Sequence, residues 1–392
     1  MNERAKLAAA WTKVAFGDVV RQVKDRVDPE ESGLERYVAG EHMDTDDLRL
    51  RRWGEIGDGY LGPAFHIRFK PGHVLYGSRR TYLRKVAVAE FEGITANTTY
   101  VLEPKDPNVL SPELLPFIMQ TEAFSQHSVR ESKGSVNPYV NFSDLAWYQF
   151  SLPPIEEQRR RVEVLRASAR TVEAVEELLA KTEQVRMSTI LSFESRVTVC
   201  TQLKSLITSL ESGKSPPTTG EEAAPDGFGV LKVSAVGDWD YVPSEAKAVA
   251  PNHYTSHLAV QDGDLLVARA NADPDSVGRS CLVVSTREGL MLSDKTWRAR
   301  FASEAEGLAY GVLAWTKSRA LRIHVRNHLN GTDAKNISKA RFLAGPAPEI
   351  NEAFRNFDVQ IRELCEAIRA AEGRLEGARE CYRRLVQEAV IG

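Results

Sequence analysis

The most constraining feature of this chain is its last stretch. Phe354, Phe357, Ile361, Leu364, Ile368, Ala371, Leu375, Ala378, Tyr382, Leu385 and Ala389 recur in unbroken alternating steps of three and four. That spacing is the apolar seam of a coiled-coil helix. The positions between, as in "RAAEGRLEGARE", are charged, and Gly373 and Gly377 fall off the seam. Each of those glycines costs roughly 1 kcal/mol relative to alanine. At ~1.5 Å per residue such a helix is about 55–60 Å long, too long for one compact domain to cover. It needs a partner helix, and the pattern from about Ile155 to Arg196 supplies one. There Val162, Leu165, Ala169 and Val172 keep the heptad step, after which the stripe drifts to Val175, Leu179, Thr182 and Val185. The drift reads as a stutter.

The two helices share an approach. "SLPPIEEQRRRVEVL" (151–165) follows a strand-like "LAWYQF" (145–150), and "APEINEAFRNFDVQI" (347–361) is a degraded copy of it. The prolines end the strand, since they cannot donate a ladder hydrogen bond. Glu156 and Glu157 fall in the first helical turn, where carboxylates suit the positive end of the helix dipole. The segment is a strand-to-helix hinge, present twice.

Repetition extends beyond the hinges. Residues 69–104 and 260–301 both run as a Gly turn (Gly72; Gly263), an apolar strand (Val74–Tyr76; Leu265–Val267), a polar loop with arginine, a second apolar strand, another turn and a Thr-bearing strand. Further on, Asn141-Phe142-Ser143 falls on Asn336-Ile337-Ser338, Pro153 on Pro348 and Ile155 on Ile350. The starts "VAFGDVV" (14–20) and "QLKSLIT" (202–208) agree loosely. The expected fold is mixed α/β: two similar globular domains, each followed by a long helix, with the two helices packed as an antiparallel coiled coil. The expected boundaries are 1–153 and 199–347 for the globular domains and 154–198 and 348–392 for the helices.

With 392 residues, 42% of them apolar, the chain has material for two or three cored domains. Cys200, Cys281, Cys365 and Cys381 show no C-x-x-C spacing and no neighbouring histidine cluster, so they read as free thiols and no zinc site is expected. The N-terminal stretch has no signal-peptide core, and no run approaches the ~20 apolar residues of a membrane span. A cytoplasmic protein is expected.

Three motifs weigh little. "GKS" (213–215) lacks the first glycine of a phosphate loop, Thr208 standing in its place, and leads into two prolines. "NPY" (137–139) is one proline short of an adenine-methyltransferase motif. Asp226, Glu245 and Lys247 formally fit a metal-dependent nuclease that activates water, but the pattern is short and common. The scattered histidines give no ligand or catalytic set.

Local charge says more than the net −3. From His66 to Lys85 there are six Lys or Arg, no acid, and interleaved aromatics. Lysine and arginine neutralise phosphates, and arginine also reads guanine. Arg79, Arg80, Tyr82 and Arg84 are candidates here. Lys133, Ser135, Asn137 and Tyr139 follow in the polar loop "ESKGSVNPYVN". The second half offers Lys214, Lys232, Arg269, Asn271, Lys295 and Lys335, with a further basic stretch at "RIHVRNH" (322–328). Acids gather elsewhere, so a near-neutral chain can still present a DNA-facing side.

These residues resemble the DNA-specificity subunit of type I restriction–modification systems. The resemblance is carried by "SLPPIEEQRRRVEVL", by 71–104 and "SKGSVNPYVNF" (132–142), and in the second half by "SGKSP" (212–216), "VLKVSAV" (230–236), "DGDLLVARAN" (262–271), "LMLSDKTWRARF" (290–301) and "KNIS" (335–338). The second hinge departs from the pattern, with Ala353 where the first has Gln158. The resemblance implies that each globular domain is a target-recognition domain reading one half of a split site in double-stranded DNA. It implies that the helices set the spacer. It implies a non-catalytic subunit of a phage-defence system that recruits two adenine methyltransferase subunits and motor–nuclease restriction subunits. S-adenosylmethionine and ATP/Mg would sit on those partners, with no cofactor in this chain. Glu157, Gln158, Val162, Leu165, Phe357, Ile361 and Leu364 are the expected partner-binding positions. The alternatives are a stand-alone nuclease using Asp226, Glu245 and Lys247, and a coiled-coil scaffold that binds no DNA.

Overall fold

The structure is a computed structural model that describes residues 11–57, 59 and 61–388. Ala389, the last seam position expected from the sequence, lies outside the described residues. The chain divides into two compact units. One comprises the chain up to Glu176 together with the stretch from Arg374, and the other is Glu177–Gly373.

Along the first unit run β1 (Thr12–Ala15), α1 (Phe16–Val19), β2 (Val20–Val23), β3 (Arg36–Val38), β4 (Gly54–Glu55), β5 (Phe65–Phe69), β6 (Val74–Gly77), β7 (Val86–Val88), β8 (Gly93–Ala96) and β9 (Thr99–Pro104). Helices α2 (Leu115–Gln120), α3 (Glu122–Arg130) and α4 (Phe142–Leu145), strand β10 (Gln149–Leu152) and the long helix α5 (Ile155–Arg196) follow. The strands form sheets of order β2-β9-β6-β7 and β4-β3-β8-β5, plus the β1-β10 pair. Every residue of β6 is buried, because it is an inner strand covered on both faces. One face meets Phe16, Phe124 and Tyr148, and the other meets Phe69 and Val38. The strand expected at 145–150 is displaced: α4 closes at Leu145 and β10 begins at Gln149.

The second unit repeats this plan. It contains β11 (Val199–Gln202), β12 (Ile207–Ser212), β13 (Gly229–Leu231), β14 (Ala246–Ala248), β15 (Leu265–Ala268), β16 (Ala270–Asn271), β17 (Ser280–Leu282), β18 (Leu290–Met291) and β19 (Thr296–Phe301). Then come α6 (Ala309–Thr316), α7 (Arg319–Asn327), β20 (Lys335–Asn336), α8 (Lys339–Leu343), β21 (Pro346–Pro348) and α9 (Glu352–Glu388). Its main sheet, β12-β19-β15-β17, has the connectivity of β2-β9-β6-β7. In both units a parallel pair (β3 with β8; β13 with β18) carries an antiparallel neighbour (β4; β14). The β11-β21 pair matches β1-β10. The duplication is therefore structural. Its register in the last third is two residues away from the sequence alignment. Helix α4 is capped by Asn141 and α8 by Ser338, so Asn141 corresponds to Ser338 and not to Asn336.

The long helices run antiparallel within each unit. In the first, Arg161 of α5 donates to the carbonyl of Glu388, and Arg379 of α9 meets Glu176 at 2.9 Å. In the second, Phe193 stacks on Phe357 at 4.1 Å between centroids, and Arg186 reaches Cys365. Along α5 the buried or half-buried positions Gln158, Leu165, Val172, Leu179, Arg186 and Phe193 keep the heptad step to the end. The expected stutter is absent: Val185 is exposed, and the seam passes through Glu176 and Arg186 instead. Charged residues on the seam hid it from an apolar-pattern reading. Among the described residues no helix is long and apolar enough to cross a membrane.

Candidate nucleic-acid interface

In the first unit two loops are laced together. The loop after β6 starts at Ser78, whose carbonyl accepts from the Val140 N–H at 3.0 Å. Two residues on, the Arg80 N–H donates to the Pro138 carbonyl at 2.6 Å. The loop between α3 and α4 forms a hairpin in which Lys133 and Tyr139 exchange both backbone bonds, at 2.7 and 2.9 Å. Gly134, at φ +91°, takes the left-handed turn that the hairpin requires. Lys133 is tied down by Asp144 at 2.8 Å. Together these bonds present Arg79, Arg80, Tyr82, Ser135, Asn137 and Tyr139 on one braced surface, with all six exposed.

The arginines of this loop have separate tasks. Arg79 and Arg80 have no side-chain partner among the described residues. Arg84 does: its guanidinium donates to Asp46 (2.7 Å), Glu122 (2.6 Å) and the Gln120 carbonyl (2.7 Å). Burial weakens its hold on the proton, but Asp46 and Glu122 more than compensate and its pKa is raised. Arg80 and Arg84 both sit in the left-handed region, at φ +48° and +50°, on either side of the turn Thr81–Leu83. Such non-glycine geometry costs on the order of 1 kcal/mol per residue. The clamp on Arg84 fixes one end and the Pro138 bond the other, and Tyr82 stands at the crest. Arg84 is thus clamped to the rest of its unit. Its partners, 38 residues away in each direction, gave no local signal.

The second unit builds the same surface from different residues. Strand β16 pairs with β20, placing Ala270 opposite Asn336 and Asn271 opposite Lys335. Asn330 and Asn336 exchange both backbone bonds at 2.8 and 2.9 Å, with Gly331 at φ +93°. The Arg269 N–H donates to the Lys295 carbonyl at 2.9 Å, and the Ile337 N–H to the Arg269 carbonyl at 3.3 Å. Lys214 joins this edge through its N–H to the Leu292 carbonyl. Arg269, Asn271, Lys295, Lys335 and Lys214 are therefore brought together. Lys232 is not: it leaves the other sheet beside β13, between Glu222 at 3.3 Å and Glu245 at 3.4 Å.

Most of the expected partner-binding residues lie inside the chain's own cores. Gln158 is fully buried: its side-chain oxygen accepts from Ser111 N–H at 2.8 Å, and its amide donates to Val109 and Pro153 carbonyls, both at 2.8 Å. Val162 and Leu165 belong to the first unit's core, and Phe357 and Ile361 to the second's. These five hold the helices to their units, which leaves Leu364, half-buried, and Glu157, paired with Arg161 at 2.9 Å, nearer the surface. In the second unit a buried polar side chain lies further along the helix. Asp358, also fully buried, accepts from the Gly311 N–H at 2.7 Å. Gln158 thus bonds the loop ahead of α2, and Asp358 bonds the backbone of α6.

Of the nuclease trio, Glu245 is already engaged. Glu245 accepts from the Ser234 hydroxyl at 2.5 Å and pairs with Lys232, while Lys247 lies on β14. Among the described residues no group of three or more His, Cys, Asp or Glu is placed to hold a metal ion.

Residues 11–184 match the family model of the type I restriction modification DNA specificity domain. The specificity subunit of the type I restriction enzyme EcoEI of Escherichia coli is 39% identical over 102 residues, 25% of this chain and 17% of that protein. The EcoDI specificity subunit, also of Escherichia coli, is 26% identical over 182 residues, 45% of this chain and 40% of that protein. The matched stretches thus span less than half the length of either curated relative. In fold, the S subunit of a type I restriction–modification system from M. genitalium matches 97% of this chain and 96% of its own, with TM-score 0.62 and 12% identity. A chain from a type I R-M system, solved in a study of complex assembly and conformational transition, matches 98% of both chains, with TM-score 0.57 and 18% identity. By family model across its first unit and by fold along its length, the chain resembles the DNA-specificity subunits of type I restriction–modification systems.

Proposed function

We propose that this chain is the non-catalytic sequence reader of a type I restriction–modification complex. The observation that carries the proposal is the duplicated surface: in each unit a glycine-turned hairpin is bonded to a loop bearing an exposed arginine. Two such surfaces on one chain suit a split site in double-stranded DNA. Cationic groups fix the register on phosphates, and amides and arginines reach base edges. The antiparallel helices set the distance between the half-sites. Because both units are on one chain, the second contact forms at high effective concentration once the first is made.

In this reading, methylation and cleavage belong to partners: two adenine methyltransferase subunits using S-adenosylmethionine, and motor–nuclease subunits using ATP and Mg²⁺. The test is a map of adenine methylation across the genome of cells carrying the neighbouring methyltransferase, with and without this chain. The expected result is a split motif with a fixed gap that appears only when the chain is present. With the methyltransferase folded and present, no new motif would reject the proposal.

A further inference from the structure

The two equivalent hairpins differ at their tips. Three residues beyond the closing Lys133 lies Val136, and three beyond the closing Asn330 lies Asp333. Both tips are exposed, Val136 to 84%. Neither residue serves its hairpin. Gly134, Asn137 and Pro138 supply the turn chemistry of the first, and a β-branched apolar residue adds nothing to a turn. Val136 is not an isolated apolar residue either. Tyr139 and Tyr82 are also exposed on the same braced loops, and a cluster of exposed apolar groups marks a contact site. Asp333 presents the converse anomaly. It puts a negative charge, with no side-chain partner among the described residues, beside Lys335 and Arg269, on the surface that in the proposed reading faces phosphates. Such a carboxylate is disfavoured there unless it meets a hydrogen-bond donor.

The major groove offers one apolar feature, the C5-methyl of thymine. Cytosine shows only its N4 amino donor at that edge, whereas adenine sets an acceptor, N7, next to its amino group and would repel a carboxylate. We propose that the hairpin tips are specificity-determining residues, Val136 selecting thymine through its methyl group and Asp333 selecting cytosine through its amino group. The inference rests on the DNA-reading function proposed above and assigns one base to each unit. Paired closing bonds and the Lys133–Asp144 anchor hold the first tip in place before binding, so little discrimination is lost to ordering.

The test repeats the methylation map with Val136→Asp and with Asp333→Val. The first should change one position of one half-site from thymine to cytosine. The second should change one position of the other half-site from cytosine to thymine, and each should leave the opposite half-site intact. In parallel, the wild-type complex of chain and methyltransferase is titrated with a duplex carrying uracil at the assigned thymine. Binding should weaken roughly 10-fold, and a Val136→Ser complex should bind both duplexes alike. Equal binding of uracil and thymine duplexes by the wild type, or unchanged half-sites in both variants, overturns the tip assignment while the split motif still supports the reader function. Absence of a split motif with the wild-type chain overturns the reader function itself.

Discussion

Arg79, Arg80 and Arg84 fall within six positions and look interchangeable in the sequence, yet only the last is fixed by carboxylates. Arg79→Ala and Arg80→Ala should each weaken DNA binding and lower the slope of log affinity against log salt by about one, with the thermal midpoint unchanged. Arg84→Ala should instead cost about 1–2 kcal/mol of stability, read by denaturant unfolding. Binding losses for all three with equal stability would contradict the division of labour. The buried amide of Gln158 makes a second residue-scale case. Gln158→Ala leaves the Ser111 N–H without a partner, and about 2–3 kcal/mol should be lost. A change within ±0.5 kcal/mol would show that water replaces the amide. Residue types and local spacing were enough to find the cationic loops. They could not separate free arginines from clamped ones, because that distinction depends on partners distant in the chain.

At the level of elements, the C-terminal heptad was legible over most of its length because its seam is apolar, with Cys365 and Val386 buried where Leu364 and Leu385 were expected. Helix α5 was legible only in its first half, since Glu176 and Arg186 occupy seam positions in its second half. Glu176 gathers Arg49, Arg51 and Arg379 at 3.3, 3.2 and 2.9 Å, so a carboxylate on the seam is neutralised rather than misplaced. The stacked Phe193–Phe357 pair anchors the helices in the second unit, and Phe357→Ala should cost about 3–5 kcal/mol, measured by the urea midpoint. The edge of the main sheet there gives a pH prediction. Arg298, 2% exposed, binds Glu211 at 2.8 Å and Asp264 at 3.2 Å. Burial pushes the Glu211 carboxyl up, but Arg298 and Arg300 outweigh it and its pKa falls below the ordinary 4.5. A lowered carboxyl pKa adds stability that is present above the ordinary value and lost as pH falls through the folded one. Glu211→Gln should therefore flatten the acid side of the stability profile, measured by thermal unfolding between neutral pH and pH 3. An unaltered acid limb would remove Glu211 from the account.

On the scale of the whole molecule, the proposed reading treats the helices as a ruler. One heptad adds about 10 Å of helix, which is about three base pairs at 3.4 Å each. A matched heptad inserted into α5 and α9 should lengthen the gap in the methylated motif by about that much, with both half-sites retained. Altered half-sites at a constant gap would refute the ruler. The duplication was visible in the order of turns and strands, but the assignment of residues beyond Arg374 to the first unit was not. That assignment rests on contacts far apart in sequence: Tyr382 hydroxyl to Gln120 at 2.8 Å, Gln387 accepting from the Glu122 N–H at 2.8 Å, and Val386 buried among the first unit's apolar residues. It bears on how the protein is made. The second unit is one unbroken segment and can close while still near the ribosome. The unit translated first must wait for its last helix turns until nearly everything else has emerged, with Phe117 and its neighbours meanwhile uncovered, and synthesis stalled before Tyr382 would leave the older half of the nascent chain the more exposed to chaperones and proteases.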